Sequence, residues 1–462
     1  MNDTALQLNQ GDERKLFGTD GVRGVANMEP MTPETILRLA RAVGRHFHTA
    51  GSHRHKIVIG KDTRISGYMI ETALASGLTS MGVDVLLVGP MPTPGIAFLT
   101  RSLRADAGVA ISASHNSFED NGIKFFGPDG FKLANEAEKQ IEALMSGHEI
   151  DRMRPTAGGI GKARRVDDAD GRYNVFLKQV VPRESTLESL RIVIDCANGA
   201  AYRVAPMILA ELGAEVITIG DHPDGFNINA DCGALHTEML RERVLREGAD
   251  LGIALDGDAD RVIMVDELGE EVDGDHMLAI LAVAMQRRTT LRQSTVVGTV
   301  MSNLGLELAL KEHGIALRRT AVGDRYVSEC MAGGGFNLGG EQSGHIINLD
   351  YSTTGDGMIS ALSIIVALQE AGTPLSQLKS IVTKCPQVIV NIKVKEKPDL
   401  SALRPVVAAI EGAEKSLGGR GRVVVRYSGT EPLARVMVEG EGSDEVSEHA
   451  RTIAAAIEES LG

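Results

Sequence analysis

Two stretches set the architecture: Ala105-Asp-Ala-Gly-Val-Ala-Ile111, which runs into Ser112-Ala-Ser-His-Asn116, and Ala249-Asp-Leu-Gly-Ile-Ala-Leu255, which runs into Asp256-Gly-Asp-Ala-Asp260. Both read Ala-Asp-x-Gly-apolar-Ala-apolar, a repeat within one chain. Each is an apolar run of strand length closed by polar residues. Carried forward without a gap, the register sets Ser114 opposite Asp258, so the two polar loops leave the ends of equivalent strands. Ligands of open α/β sheets gather outside the carboxyl ends of strands. These loops are therefore the first candidates for chemistry.

Outward from them the chain alternates short apolar runs with amphipathic stretches of helical length: Lys56 to Asp62, Ser66 to Met81, Val83 to Val88. That is βαβ grammar. It returns at Arg191-Ile-Val-Ile-Asp195, Glu215-Val-Ile-Thr-Ile219 and Leu251 to Leu255, and again from Thr295-Val-Val-Gly-Thr-Val300. The third unit offers Gly339-Gly-Glu-Gln-Ser-Gly-His345 after Phe336-Asn-Leu338, a weaker match. From Pro386 the pattern turns to longer β-rich runs, Gln387 to Val394 and Arg422 to Arg426, with a closing helix around Val446 to Leu461. The expected class is α/β, with related domains at 15–165, 170–268 and 269–380 and a smaller α+β domain at 386–462.

At about 150 residues per domain, a chain of 462 residues accommodates roughly three domains, give or take one. The balance of 48 Lys+Arg against 62 Asp+Glu, a net charge of -14, excludes a general binder of nucleic acid or anionic membrane, which needs a basic face. Cations for an anionic substrate must then be concentrated locally. Cys196, Cys232, Cys330 and Cys385 are scattered without a C-x-x-C pair, so neither a zinc site nor a disulfide framework is expected, and a reducing cytoplasm is the simplest compartment. Met1 to Arg14 is polar and lacks an apolar h-region, which reads as an untargeted extension. No run approaches the ~18 apolar residues of a membrane span.

Asp256, Asp258 and Asp260 alternate, so in an extended loop their carboxylates converge on one hard cation, and oxygen-only ligands favour Mg²⁺ or Ca²⁺. An EF-hand loop is the rival, but it wants Gly at its sixth place, where Arg261 stands, and helices on either side. Glu267 falls at its twelfth place by chance. A bare acidic turn is the other alternative, although three carboxylates this close repel one another unless a cation lies between them. Ser114, with His115 beside it, lies in a small-polar loop that is ordinarily just a turn. Its register with the acidic loop marks it, since a hydroxyl turned toward a metal can carry a phosphoryl group.

Arg422-Val-Val-Val-Arg-Tyr-Ser-Gly-Thr-Glu-Pro432, followed by Arg435, joins a strand to a Ser-Gly-Thr turn. Backbone N–H groups, hydroxyls and guanidinium forks suit a phosphate dianion; a β-turn with two surface arginines is the alternative. His46, His48, His53 and His55 have metal-like spacing but no carboxylate or cysteine among them, and read as a solvated face. Gly333-Gly-Gly335 reads as a turn and not as a dinucleotide fingerprint.

Taken together, Gly18-Thr-Asp-Gly-Val-Arg-Gly24, Ser112-Ala-Ser-His-Asn116, Asn121-Gly-Ile-Lys124, Asp256-Gly-Asp-Ala-Asp-Arg261, Gly340-Glu-Gln-Ser-Gly-His345 and Arg426-Tyr-Ser-Gly-Thr-Glu-Pro432 resemble the α-D-phosphohexomutase family, from about Lys15 to the C-terminus. Val322-Gly-Asp-Arg325 and Val436-Met-Val-Glu439 resemble its bacterial branch that acts on glucosamine phosphate. The resemblance implies three related α/β domains with mixed sheets and a smaller C-terminal α+β domain around a central cleft. It implies that Ser114 is phosphorylated and shares Mg²⁺ with Asp256, Asp258 and Asp260. Arg23, His115, Lys124, Arg261 and His345 would serve the reacting group, with Lys124 or His345 as general acid/base. Asp324, Arg325, Glu341, Ser343 and His345 would hold the sugar, and Arg426, Ser428, Gly429, Thr430 and Arg435 the idle phosphate. The sequence departs from the family at Ser117 and Tyr427, where Pro is usual, and each departure removes a fixed φ.

The implied reaction interconverts glucosamine 6-phosphate and glucosamine 1-phosphate through a phosphoserine and glucosamine 1,6-bisphosphate or a similar sugar bisphosphate, toward UDP-N-acetylglucosamine and the cell wall. The protein would be a cytoplasmic monomer or homodimer without nucleic-acid or membrane partners. A phosphomannomutase or phosphoglucomutase is the nearest alternative. A phosphosugar phosphatase and a non-catalytic phosphosugar sensor are the alternatives of other classes.

Overall fold

The computed structural model describes residues 16–18, 20–48, 54–427 and 432–461. Its first sheet runs, edge to edge, Val22–Val25, Asp120–Phe126, Ala107–Ile111, Lys56–Lys61, Asp84–Pro90, Ala163–Arg165. The second runs Glu271–Val272, Val262–Asp266, Leu251–Leu255, Arg191–Asp195, Glu215–Ile219. The third runs Ile346–Asn348, Leu338–Gly340, Thr295–Thr299, Ala316–Thr320. Each contains the same motif, in which one strand lies antiparallel to the strand that leads into the loop, and that strand is parallel to two more. The duplication read from the sequence is thus a duplication of topology. Ile111 and Leu255 end the two loop strands, so Ser114 and Asp258 each stand third beyond a strand end.

Ala107–Ile111, Leu251–Leu255, Val262–Asp266 and Thr295–Thr299 are buried along their whole length, as expected of sheet strands covered by helices on both faces. Helix Gly357–Ala371 shows the same logic: apolar nearly all round, it buries Met358, Ile359, Leu362, Ile364 and Ile365. Asp356 caps it by accepting from the Met358 and Ile359 N–H groups at 3.0 Å, and itself takes the Tyr173 hydroxyl at 2.7 Å. Its first N–H, at Gly357, is bonded to the Ala259 carbonyl at 3.0 Å, which seats the helix behind the acidic loop.

One apolar cluster runs from Val58 and Val88 through Ile192 and Ile253 to Leu338 and Ile365, so the three related units share a core and their loops keep fixed relative positions. The C-terminal unit has its own: an antiparallel sheet of Gln387–Lys393, Leu433–Gly440 and Gly421–Tyr427 packs Val425, Val436 and Val438 against helices Arg404–Leu417 and Ser443–Leu461. It meets the third unit through the small cluster of Val300, Val424 and Met437, and through Arg422, whose guanidinium donates to the Ser302 carbonyl at 2.6 Å. Among the described residues no helix is long and apolar enough to cross a membrane.

Candidate active site

Ser114 is buried and takes the left-handed conformation, φ 53°. A non-glycine residue there costs on the order of 1 kcal/mol, and the fold must hold it in place. Arg64, fully buried, does so: Nη2 donates to the carbonyls of Ser114 and Asn116 at 2.9 Å each, and Nη1 donates to that of Ser117. Its Nε is anchored on Asp62 at 2.8 Å. Asn229, from the second unit, donates to the same Ser114 and Asn116 carbonyls at 2.9 and 3.0 Å. The Ser112 hydroxyl donates to Asp62 at 2.6 Å and accepts the Ser114 N–H at 2.9 Å. The rigidity that Pro would give at position 117 is therefore supplied by a guanidinium that ties the loop from beneath.

The acidic loop approaches so closely that a Cβ on Gly257 would lie 2.6 Å from the Ser114 carbonyl oxygen, so glycine is required there. Asp256, Asp258 and Asp260 are all buried, with one carboxylate oxygen from each within 4.8 Å of the others. Ala259, at φ 56°, turns the chain between the second and third of them. The Ser114 hydroxyl donates to Asp256 Oδ2 at 2.5 Å. Burial and the neighbouring Asp260 and Asp258 charges push the Asp256 carboxyl well above the usual range. Burial would raise Asp260 too, but Lys124 and then His345 hold it well below. Lys124 Nζ lies 2.9 Å from Asp258 and 3.4 Å from Asp260, and the Thr93 hydroxyl donates to Asp258 at 2.6 Å. Asp258 Oδ1 and Asp260 Oδ1 are buried without a hydrogen-bond partner among the described residues. Two such oxygens beside a third carboxylate that resists ionisation fit a hard metal ion.

From this cluster a closed circuit of alternating charge runs through the first three units. Asp260 faces His345 Nδ1 at 3.6 Å, and His345 Nε2 faces Asp324 at 3.5 Å. Asp324 pairs with Lys132, Lys132 with Asp20, and Asp20 with Lys124 at 3.3 Å, which returns to Asp260. Asp20 also binds Arg23 at 2.6 Å, and its carboxyl is held far below the usual range by Lys124 and Lys132 despite burial. The same circuit raises Lys124 against its own burial, so its ammonium is kept charged. His115 Nδ1 lies 3.3 Å from the Ser114 hydroxyl, and burial with Arg261 and Arg23 nearby pushes its pKa down to about 4, leaving a neutral imidazole at pH 7. Arg261 donates its backbone N–H to Asp256 at 3.1 Å and turns its side chain toward Asp260.

The hairpin of Leu338–Gly340 and Ile346–Asn348 presents Glu341, Ser343 and His345. It is tied to the second unit by the Val262 N–H, which donates to the Gly344 carbonyl at 3.1 Å. Glu341 accepts the Gly323 N–H at 3.0 Å, which brings the start of helix Asp324–Gly334 beside it. Arg325 turns from Asp324 to Glu138, at 2.8 Å, and Asn135. That buried pair joins the third unit to the first. In the C-terminal unit Arg426 and Arg435 stand directly opposite in register, and burial followed by Arg435 lowers the Arg426 pKa. Ser428, Gly429 and Thr430 lie outside the described residues.

Sequence reasoning missed Asp62, Arg64, Thr93, Lys132 and Asn229, which act through contacts between units or with the carbonyls of a loop. Asp20 was within reach, lying in the quoted Gly18–Gly24 motif. The solvated reading of the histidines fails at His55, which is buried with Nδ1 3.1 Å from Asp106; His53 lies outside the described residues. Glu267 accepts from Ser376, away from the acidic loop.

Four family descriptions match the chain in order: phosphoglucomutase/phosphomannomutase alpha/beta/alpha domain I over residues 14–150, domain II over 172–269, domain III over 273–385, and the C-terminal domain over 389–456. The chain is 57% identical over 450 residues to the phosphoglucosamine mutase of Syntrophotalea carbinolica, covering 97% of this chain and 98% of that one. Its fold is similar to that of a phosphoglucomutase/phosphomannomutase family protein from Burkholderia thailandensis, with a TM-score of 0.79 at 21% identity over 96% of this chain and 97% of that one. It is also similar to Aspergillus fumigatus N-acetylphosphoglucosamine mutase in complex with GlcNAc-6P and magnesium, with a TM-score of 0.65 at 18% identity over 99% and 98%.

Proposed function

The chain belongs to the phosphoglucomutase/phosphomannomutase family, the α-D-phosphohexomutases that its motifs resemble, and on that footing we propose that it interconverts glucosamine 6-phosphate and glucosamine 1-phosphate. It is an enzyme of the isomerase class that moves a phosphoryl group within its substrate. One observation carries the mechanism: a buried serine, held in a left-handed turn, points its hydroxyl at a cluster of three buried aspartates. Ser114 carries the phosphoryl group. It passes to the free hydroxyl of the bound phosphosugar while that hydroxyl yields its proton to a base. The resulting bisphosphate turns over and returns its other phosphoryl group to Ser114. Nothing is hydrolysed.

Asp256, Asp258, Asp260 and the Ser114 oxygen would hold Mg²⁺, which when bound offsets charge on the phosphoryl group in transfer. The aspartates and the phosphorylated serine, near -2 by itself, make a centre that repels a phosphosugar of like charge. Arg23, Lys124 and Arg261 counter that repulsion. Lys124 is held as an ammonium, which makes it an electrostatic partner of the phosphoryl group, and Lys124 or His345 would serve as general acid/base at the sugar hydroxyl. Glu341, Ser343, His345 and Asp324 face the sugar, and Arg325 keeps the Asp324 helix in place through Glu138. Arg426, Arg435 and the Ser428–Thr430 turn hold the phosphate that is not reacting. We place the reaction in the cytoplasm, consistent with four unpaired cysteines.

The test is to supply purified enzyme with Mg²⁺ and a trace of sugar bisphosphate, then follow glucosamine 6-phosphate, glucose 1-phosphate and mannose 1-phosphate side by side. Conversion of the amino sugar at a kcat/KM at least about tenfold above the others is expected. A preference for either hexose would reassign the substrate. Stoichiometric release of inorganic phosphate would make the protein a phosphatase.

A further inference from the structure

We propose that Asp324 is the residue that distinguishes an amino sugar from a hexose, by binding the C2 ammonium of glucosamine phosphate through its Oδ1 oxygen. The inference rests on the reading above and names the substrate group that one side chain recognises. Glucosamine phosphate differs from glucose phosphate at a single position, where a hydroxyl is replaced by an amine that is cationic near neutral pH. A cleft that prefers the amine must offer it a carboxylate oxygen that nothing else occupies.

The acids around the cleft can be sorted on that criterion. Asp256, Asp258 and Asp260 face one another, Ser114 and Lys124. Asp20 is ringed by Arg23, Lys124 and Lys132. Glu341 accepts the Gly323 N–H through Oε1 and, like Asp324, keeps a second oxygen without a hydrogen-bond partner among the described residues, so the choice between these two acids rests on position along the wall. At Asp324 both neighbours, Lys132 and His345, meet the same oxygen, Oδ2, and Oδ1 has no partner among the described residues. The side chain is 15% exposed, so it is not sealed into the core. Lys132 is moreover shared with Asp20, which leaves Asp324 only partly compensated.

Position agrees with charge. Asp324 opens helix Asp324–Gly334, directly after Gly323, which is bonded to Glu341, and its carboxylate lies 3.5 Å from the His345 ring. If Glu341 and His345 hold ring hydroxyls, the next polar group along that wall is Asp324. The Lys132 bond and the helix N-terminus keep the carboxylate ionised and oriented, which is what a cation-recognising group needs. Arg325 fixes the helix start against Glu138 and takes no charge from Asp324.

The test measures binding of glucosamine 6-phosphate and glucose 6-phosphate to full-length, dephosphorylated enzyme by isothermal titration. Asp324→Asn keeps the shape and removes the charge, and its ratio of dissociation constants should lose at least about tenfold of the wild-type preference for the amine. Lys132→Gln, which breaks the bridge but spares the carboxylate, should keep a ratio within about threefold of wild type. An unchanged ratio in Asp324→Asn, or an equal fall in Lys132→Gln, overturns the proposal. Should Asp324→Asn not fold, a crystal structure of wild type with glucosamine 6-phosphate decides: the C2 nitrogen within about 3.2 Å of Asp324 supports it, and the nitrogen on Glu341 overturns it. Wild type that converts glucose phosphate but has no preference for the amino sugar would instead sink the parent reading, and this inference with it.

Discussion

The Ser114 hydroxyl donates to Asp256 at 2.5 Å across the junction of two units, each of which supplies its residue from the loop after an equivalent strand. The repeated topology thus sets a serine hydroxyl and a carboxylate cluster face to face. Ser114→Ala should fold, because neither the Arg64 nor the Asn229 bonds to the loop use the hydroxyl. It should lose turnover by at least about 10³-fold. Intact-mass measurement of protein incubated with sugar bisphosphate should show one added phosphoryl group in wild type and none in the variant. Phosphate on another residue would end the assignment.

Arg64 serves the loop's carbonyls and not its side chains, so its loss should slow phosphorylation of Ser114 more than it weakens sugar binding. Arg64→Met also strands Asp62, and unfolding by urea should register a loss of about 3 to 5 kcal/mol. Asn229→Ala is the milder probe. It removes two bonds to the Ser114 and Asn116 carbonyls, should cost about 1 to 3 kcal/mol, and should slow phosphoryl loading about tenfold with little change in substrate affinity. Equal loading rates in Asn229→Ala and wild type would show that Arg64 holds the loop alone.

A metal on the aspartates is checked without turnover. Mg²⁺ at about 100 times its dissociation constant should stabilise metal-free protein by about 2.7 kcal/mol through binding to the folded state alone. Asp258→Asn should lose most of that gain, because it replaces one of the two buried carboxylate oxygens of the cluster that have no hydrogen-bond partner among the described residues. Identical Mg²⁺-dependent shifts in variant and wild type would remove the aspartates from the metal site.

How much of this was legible beforehand follows from what each residue touches. Several strands could be read because buried strands are apolar and the repeat is spelled in local sequence, as at Ala107–Ile111 and Leu251–Leu255, whereas the order of strands in each sheet could not. The aspartates and Ser114 stood out because their spacing and register are local. Arg64 did not. Its role is to meet the carbonyls of residues 114, 116 and 117, some fifty positions away, and nothing in a stretch such as Asp62-Thr-Arg64 marks a guanidinium aimed at another loop's backbone. Lys132 and Asp324, paired across 192 positions, are invisible for the same reason. Arg325 shows the converse: it adjoins Asp324 in sequence, yet successive helical residues diverge around the axis, and it ends on Glu138.

Asp275 supplies a pH test remote from the aspartate cluster. Fully buried in helix Gly274–Arg287, it accepts the Asn303 N–H at 2.8 Å through one oxygen, and burial followed by the Asp273 charge raises its pKa to about 7. The folded state therefore holds a proton that the unfolded chain releases near 3.8, so this group's contribution to stability is present at low pH and is lost as pH rises from about 4 through about 7. Asp275→Asn has no proton to lose. Its stability relative to wild type should rise across that window by an amount on the order of 4 kcal/mol at most. Urea midpoints of the pair at pH 5 and pH 8 measure it, and a constant gap would contradict the buried, proton-holding carboxyl.

Arg426 and Arg435 face each other in register on neighbouring antiparallel strands, which sets two guanidinium groups on one face of the sheet. In the proposed cycle the bisphosphate offers first one end and then the other to Ser114, so a clamp in the C-terminal unit would hold the 6-phosphate in one half-reaction and the 1-phosphate in the next. One clamp would serve both orientations. Arg426→Ala should therefore lower kcat/KM in both directions together, by about 2 to 4 kcal/mol if its bonds to phosphate are well desolvated. Phosphoryl loading of Ser114 from excess bisphosphate should suffer less, since the serine and the aspartates are untouched. Single-turnover rates for each half-reaction separate the cases: a large loss in one with the other at the wild-type rate would mean that the clamp serves a single orientation, and the two-way cycle as described here would fail.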